Sequence, residues 1–144
     1  MRLRKTLLVA LLALPWLTAV PAGAHEWNTE EVSATARQLA EALDALLADP
    51  KLDAKQATAM QQREHEAAIA TAREVRTLLS SYQRRIDEGY TLEESRPFWD
   101  QIDELRGDIQ AYARHSWLPA ATDRKADRVS ALFDQLAHYY RTRP

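Results

Sequence analysis

The sequence predicts an all-α protein, an antiparallel up-down-up-down four-helix bundle that follows a cleaved signal peptide. Strong helix formers (alanine, leucine, glutamine, glutamate and arginine) dominate the chain after its first 24 residues. Apolar residues recur there at spacings of three and four, the period of a helix with one buried face. Only Gly89 and Gly107 follow Gly23, and runs of β-branched residues are missing.

The beginning of the chain has the three parts of a secretory signal peptide. A positively charged start precedes an apolar run over residues 7–20, which is shorter than the ~20 residues of a membrane span. Ala22 and Ala24 then form an A-x-A cleavage site, so cleavage would leave His25 as the first residue.

The chain is therefore expected to consist of a signal peptide over residues 1–24 and a single helical-bundle domain over residues 25–144. No cysteine follows the apolar run and no twin-arginine pair precedes it, which favours general secretion without a lipid anchor. We expect a periplasmic or secreted protein with no membrane span after cleavage.

Composition excludes several classes of partner and cofactor. Removing the signal peptide leaves 16 basic against 21 acidic residues, about -5 in net charge, which argues against nucleic-acid binding. The chain has no cysteine, which excludes disulfides, thiolate metal sites and covalent c-type haem attachment. The sequence leaves a homodimer open.

The first two helices have clear predicted ends. The first spans residues 29–48, with Asn28 as its cap and Asp49-Pro50 as its stop. The second begins after Asp53, with Gln56 as a capping-box partner, and runs to the residue before Gly89. Its predicted inward face consists of Gln61, His65, Ala68, Ala72, Val75, Leu79, Tyr82 and Ile86.

The third and fourth helices complete the bundle. Thr91 and Glu94 form a capping box that opens the third helix, and Pro97 kinks it or restarts it with Ser95 as a new cap. Its predicted inward face consists of Phe98, Ile102, Leu105, Ile109 and Tyr112. The fourth helix starts near Asp123, with Ala126, Val129, Phe133, Leu136 and Tyr140 turned inward.

Histidine is the residue best suited to hold a metal or haem in this chain. His65 falls on the apolar face of the second helix and His115 near the end of the third, so a haem or metal between them is one hypothesis. His25 and His138 are expected at the same end of the bundle, and the terminal amine and ring of His25 suit copper. A solvent-exposed His138 and a His65 hydrogen-bonded to a carbonyl or carboxylate are the interpretations favoured over a ligand role.

Arginine and aromatic residues around Pro97 form the best candidate for a ligand or partner patch. An exposed kink would present Arg96, Phe98 and Trp99 together, and this residue composition is favoured at interface hot spots. Closure of the bundle ends by aromatic side chains is the alternative interpretation.

No catalytic pattern appears in the sequence, which predicts that the protein is not an enzyme. Glu-x-x-His, His-Glu-x-x-His, a glycine-rich phosphate loop and Gly-x-Ser-x-Gly are all missing.

The architecture resembles the periplasmic four-helix-bundle cytochromes of the b type and the cytochromes c-prime. The export signal, the length and a terminal His-Tyr-Tyr-Arg at residues 138–141 are similar. The resemblance implies a bundle that holds haem b between a methionine of the first helix and a histidine of the last. His138 corresponds to that histidine, whereas the methionine is not matched, since Met60 lies in the second helix.

A second segment, Leu52-Asp53-Ala54-Lys55-Gln56, is similar to the Leu-Thr-x-x-Gln repeat of the Spy and CpxP periplasmic stress chaperones. That resemblance implies a chaperone, and a capping box explains the same residues.

The sequence thus favours an exported, non-enzymatic bundle that binds a partner protein or a small ligand, with no cofactor. A haem- or copper-binding bundle and a periplasmic chaperone remain as alternatives.

Overall fold

The computed structural model describes residues 26–52, 58–115 and 118–141. Four α-helices occur in these residues, and no strand does, which confirms the predicted all-α class. The predicted signal peptide, His25 and the predicted capping residue Gln56 lie outside the described residues. The helices are α1 (Thr29–Leu47), α2 (Ala59–Asp87), α3 (Leu92–His115) and α4 (Ala120–Arg141).

Side-chain contacts establish the antiparallel, up-down-up-down order. Each helix is adjacent to the next, and α4 returns to pack on α1. Ser33 near the start of α1 donates to Asp87 at the end of α2, and Arg76 pairs with Asp44 at 2.8 Å. Both pairs follow one antiparallel register, in which the end of α1 is level with the middle of α2.

Helix α2 is continuous through His65 and therefore longer than α1. Its 29 residues span about 43 Å at 1.5 Å per residue, against about 29 Å for the 19 residues of α1. From the α1–α2 register, the part of α2 before residue 73 extends past the end of α1.

The predicted helix starts are confirmed for α1 and α3 and need correction for α2 and α4. Asn28 caps α1 through the backbone N–H groups of Glu30 and Glu31 at 3.1 and 3.2 Å, and Thr91 with Glu94 forms the capping box of α3. Helix α2 begins later than predicted, at Ala59.

The actual cap of α2 is Thr58, whose side chain and that of Gln61 bond to each other's backbone N–H groups at 3.2 Å. Because this capping box bonds the first free N–H groups of the helix, α2 begins at Ala59 rather than directly after Asp53. Gln61 is consequently exposed and does not belong to the inward face. Helix α4 begins earlier than predicted, because the carbonyl of Pro119 accepts from the N–H of Asp123 at 2.9 Å and closes a first turn before it.

Helix α3 runs through Pro97 as one helix, so Ser95 does not restart it. Its buried residues are Ser95, Trp99, Ile102 and Arg106. This face is rotated from the predicted one, since Phe98, Leu105, Ile109 and Tyr112 are only partly buried. The polar residues at the two ends of this face, Ser95 and Arg106, interrupt the apolar pattern, so the pattern did not predict it.

One apolar core joins all four helices, and aromatic side chains close the end where α1 begins and α4 ends. Trp99 stacks on Tyr140 with ring centroids 5.1 Å apart, and Trp27 meets the rings of Tyr139 and Tyr140 edge-on at 5.9 Å. None of the described helices is long and apolar enough to span a membrane.

Candidate functional site

The structure gives His65 a partner other than the predicted one. His65 is buried in α2, and its Nδ1 lies 2.8 Å from the hydroxyl of Tyr112. His115 is exposed at the last residue of α3, and His138 is exposed on α4. Among the described residues, no three histidine, aspartate or glutamate side chains are grouped so that they could hold a metal. Haem or copper binding therefore stays a prediction.

The predicted patch around Pro97 does not form one surface. Trp99 is only 2% exposed, so the prediction that it is presented on an exposed kink was wrong. Arg96 turns toward α4, where its Cζ lies 5.5 Å from the ring centre of Tyr140. Phe98 turns toward α2, where the guanidinium of Arg85 lies 4.2 Å from its ring centre. Residues two positions apart on a helix lie about 200° apart around its axis, which separates Arg96 from Phe98.

A groove with a mostly apolar lining lies between α3 and α4. These two helices approach each other less closely than the other adjacent pairs. The opening between them has a volume of about 340 Å³, within the range of small-molecule sites. We call it the α3–α4 groove. Its apolar lining comes from Leu46, Ile109, Ala113, Leu118, Ala126, Val129 and Phe133.

The edges of the α3–α4 groove are polar and differ in charge. Helix α3 contributes the cationic edge with Arg106, Gln110 and Arg114. Helix α4 contributes the acidic edge with Asp123, Asp127 and Ser130. An apolar floor with a few polar groups at its edges is the usual composition of a ligand pocket, in which the polar groups set orientation.

Arg106 closes one end of the groove. Its side chain is 8% exposed, and its Nη2 donates to Asp134 of α4 at 2.5 Å, while Nη1 donates to Asp103 at 3.4 Å. With its amide oxygen turned toward Arg106, Gln110 accepts from Nε at 3.0 Å. The guanidinium also lies 5.4 Å from the ring centre of Phe133. The contacts with Asp134 and Phe133 join α3 to α4 at this end of the groove.

A larger depression lies between α1 and α4, with a volume of about 550 Å³. Most of its lining residues are polar or charged (Glu31, Thr35, Asp134, Gln135 and His138), and the others are Ala131 and Tyr139. Water solvates such a surface well, and a ligand gains little by displacing it. The smaller α3–α4 groove is therefore the better candidate site.

Sequence reasoning missed this groove, although one signal was present. Arg106 follows Ile102 by four residues and so occupies a core position with a charged side chain. A charged side chain at such a position predicts a break in the apolar packing between the helices. The small side chains of Ala113 and Ala126 line the same groove and leave its floor open.

The chain matches no protein-family model, no curated protein and no solved structure.

Proposed function

We propose that the protein is an exported, non-enzymatic helical bundle that binds a small, mostly apolar ligand in the α3–α4 groove. The observation that carries this proposal is the apolar floor of the groove, exposed where two adjacent helices of the bundle diverge. Burying apolar surface contributes roughly 25 cal/mol per Å², so burial of this floor would be a source of binding energy for an apolar ligand.

The dimensions of the groove favour a small molecule over a protein segment. A volume of about 340 Å³ holds only a few side chains, whereas a specific protein interface buries at least about 1,200 Å² in total. Leu46 and Leu118 add apolar surface to the floor, and Arg106 blocks one end. A compact ligand can make contacts with these walls that an extended partner cannot.

Export is the part of the proposal that rests on the sequence alone. The charged start, the apolar run and the A-x-A site together support cleavage after Ala24. Expression of the full chain in a bacterial host, followed by fractionation and N-terminal sequencing, tests this. A mature chain in the periplasm that begins at His25 is expected, and retention of residues 1–24 would contradict it.

Ligand binding is tested by titrating the exported protein with the neutral fluorescent probe N-phenyl-1-naphthylamine. We expect saturable binding at one site. Ala113→Phe and Ala126→Phe fill the groove with a bulky side chain, and each should weaken binding tenfold or more. Ala111→Phe is the matched control, because Ala111 lies on the same helix, is exposed and does not line the groove.

Two results would contradict the proposed site. One is the absence of saturable binding by the wild-type protein. The other is an equal loss of affinity in the Ala111→Phe control, which would place the probe elsewhere. Circular dichroism of each variant checks that its helix content is retained.

The same preparation separates the alternatives. A Soret band, or stoichiometric copper by elemental analysis, would favour the cytochrome-like or metal-binding bundle over a cofactor-free one. Suppression of the aggregation of an unfolded client protein would favour the chaperone. We expect neither result.

A further inference from the structure

The guanidinium of Arg96 is incompletely hydrogen-bonded. Its Nη1 donates to the backbone carbonyl of Tyr140 at 3.2 Å, and its Cζ lies 5.5 Å from the ring centre of Tyr140. Nε and Nη2 of the same guanidinium are buried and have no hydrogen-bond partner in the described part of the chain. Buried polar groups almost always have a partner, and a charged donor without one is costly.

The two unpartnered nitrogens occupy one edge of the guanidinium. The N–H bonds of Nε and Nη2 are parallel in the planar group and form a fork that matches two oxygens of a single anion. One bidentate ligand would therefore satisfy both nitrogens at once.

The aromatic residue against which the guanidinium packs, Tyr140, and its neighbours favour an anion with a single charge. Trp99 stacks on the ring of Tyr140, and the hydroxyl groups of Tyr82 and Ser95 lie within hydrogen-bond distance of the Tyr140 hydroxyl. Asp100 also lies within electrostatic range of Tyr140. A doubly charged phosphate would lose more hydration energy beside these aromatic rings than a carboxylate would. Asp100 would also repel the phosphate more strongly, so a carboxylate fits better.

We propose that Arg96 is a carboxylate-binding site, in which Nε and Nη2 hold the two oxygens of a small ligand's carboxylate. The site is independent of the α3–α4 groove, since Arg96 and Arg106 are ten residues and about 15 Å apart along α3. Both nitrogens are covered, so binding requires the partly buried Arg96 side chain to move. The smallest carboxylates are therefore the appropriate probes.

The test is a titration of the exported protein with sodium acetate against sodium chloride at equal ionic strength, followed by the Nε–H signals of arginine in NMR spectra. The signal that disappears in Arg96→Lys belongs to Arg96. We expect it to shift downfield and to saturate with acetate, and the melting temperature to rise in acetate relative to chloride. Arg96→Lys should lose the thermal response, because an ammonium lacks the planar fork.

Two further variants make the result specific. Arg85→Lys is the matched control, since Arg85 also stacks on an aromatic ring but already donates to the hydroxyl of Tyr90 at 2.9 Å. This variant should keep the full acetate response. Asp100→Asn tests whether the chain's own carboxylate, four residues along the helix, fills the fork instead.

Three outcomes would overturn the proposal. The first is an Arg96 signal that acetate does not move. The second is an acetate response that persists in Arg96→Lys. The third is an acetate response that appears only in Asp100→Asn, which would show that Asp100 fills the fork in the wild type.

Discussion

The hydroxyl groups of Tyr82 and Tyr140 lie 2.7 Å apart in the core, although 58 residues separate them in the sequence. Tyr140 also lies 2.8 Å from Ser95 Oγ, which donates to the carbonyl of Leu92 at 3.1 Å. Since Ser95 has one proton and gives it to that carbonyl, Tyr140 donates to Ser95 and Tyr82 donates to Tyr140. Burial raises the pKa of both tyrosines, so both hydroxyls keep their protons.

The direction of this chain of hydroxyls predicts unequal effects of two similar substitutions. Tyr140→Phe leaves the buried proton of Tyr82 without an acceptor and should cost about 1–3 kcal/mol of unfolding free energy. Tyr82→Phe removes only the first donor and should cost about 1 kcal/mol. Urea unfolding of both variants measures the difference. A larger loss in Tyr82→Phe would reverse the assigned direction.

The two glycines of the described chain should respond oppositely to alanine. Gly107 lies inside α3, and a Cβ there would meet no atom within 4 Å, so Gly107→Ala should stabilise the protein by about 1 kcal/mol. Gly89 ends α2 with a φ of +94°, which side chains rarely adopt, so Gly89→Ala should destabilise it by about 1–2 kcal/mol. Thermal unfolding checks both signs, and stabilisation by Gly89→Ala would contradict the assigned turn.

Asp49 is expected to make the stability depend on pH in the acid range. The backbone N–H of Lys51, the ammonium of Lys125 and the hydroxyl of Thr122 hold the pKa of Asp49 below its ordinary value of 3.8. The folded state therefore binds this proton less readily than the unfolded state. Its contribution is present above the ordinary pKa and is lost as the pH falls through the lower, folded-state value.

Asp49→Asn should remove part of that dependence. Unfolding free energies from urea titrations between about pH 5 and pH 2 should fall less steeply in the variant than in the wild type. At neutral pH the variant should be less stable, because Lys125 and Thr122 lose a charged acceptor. Equal slopes in the two proteins would show that Asp49 titrates alike in the folded and unfolded states.

Arg106 should contribute more through its packing than through its charge. Its partners Asp103 and Asp134 are 48% and 55% exposed, so water can solvate them when the arginine is removed. Arg106→Met should therefore change the unfolding free energy by less than about 1 kcal/mol. Arg106→Ala leaves a cavity against Phe133 and should be about 2 kcal/mol or more less stable than the methionine variant. Similar stabilities of the two variants would contradict a packing role.

Local sequence signals predicted most of the helices because the free energies involved are local. Asn28, Thr91 and Glu94 cap the helices they were expected to cap, since a cap bonds only to backbone within three residues. Where two such boxes compete, as at Gln56 and Gln61, nothing local decides between them. The start of α2 was therefore misplaced.

The inward face of α3 shows why the site could not be predicted in the same way. Trp99 was expected to flank the core and is in fact part of it, on a face whose two end positions are the polar residues Ser95 and Arg106. A polar residue belongs in a core only when a distant residue satisfies it, here Tyr140 and Asp134. No periodicity in the sequence records such a partner.

The sequence by itself determined the helical class, the number of helices and their antiparallel order, because propensity, caps and short connections act over a few residues. Only the tertiary structure decided how far α3 and α4 diverge, and hence where a groove opens. It also decided that two nitrogens of Arg96 are buried without a partner. Both features depend on the side chains that meet between helices, and those contacts join residues far apart in the chain.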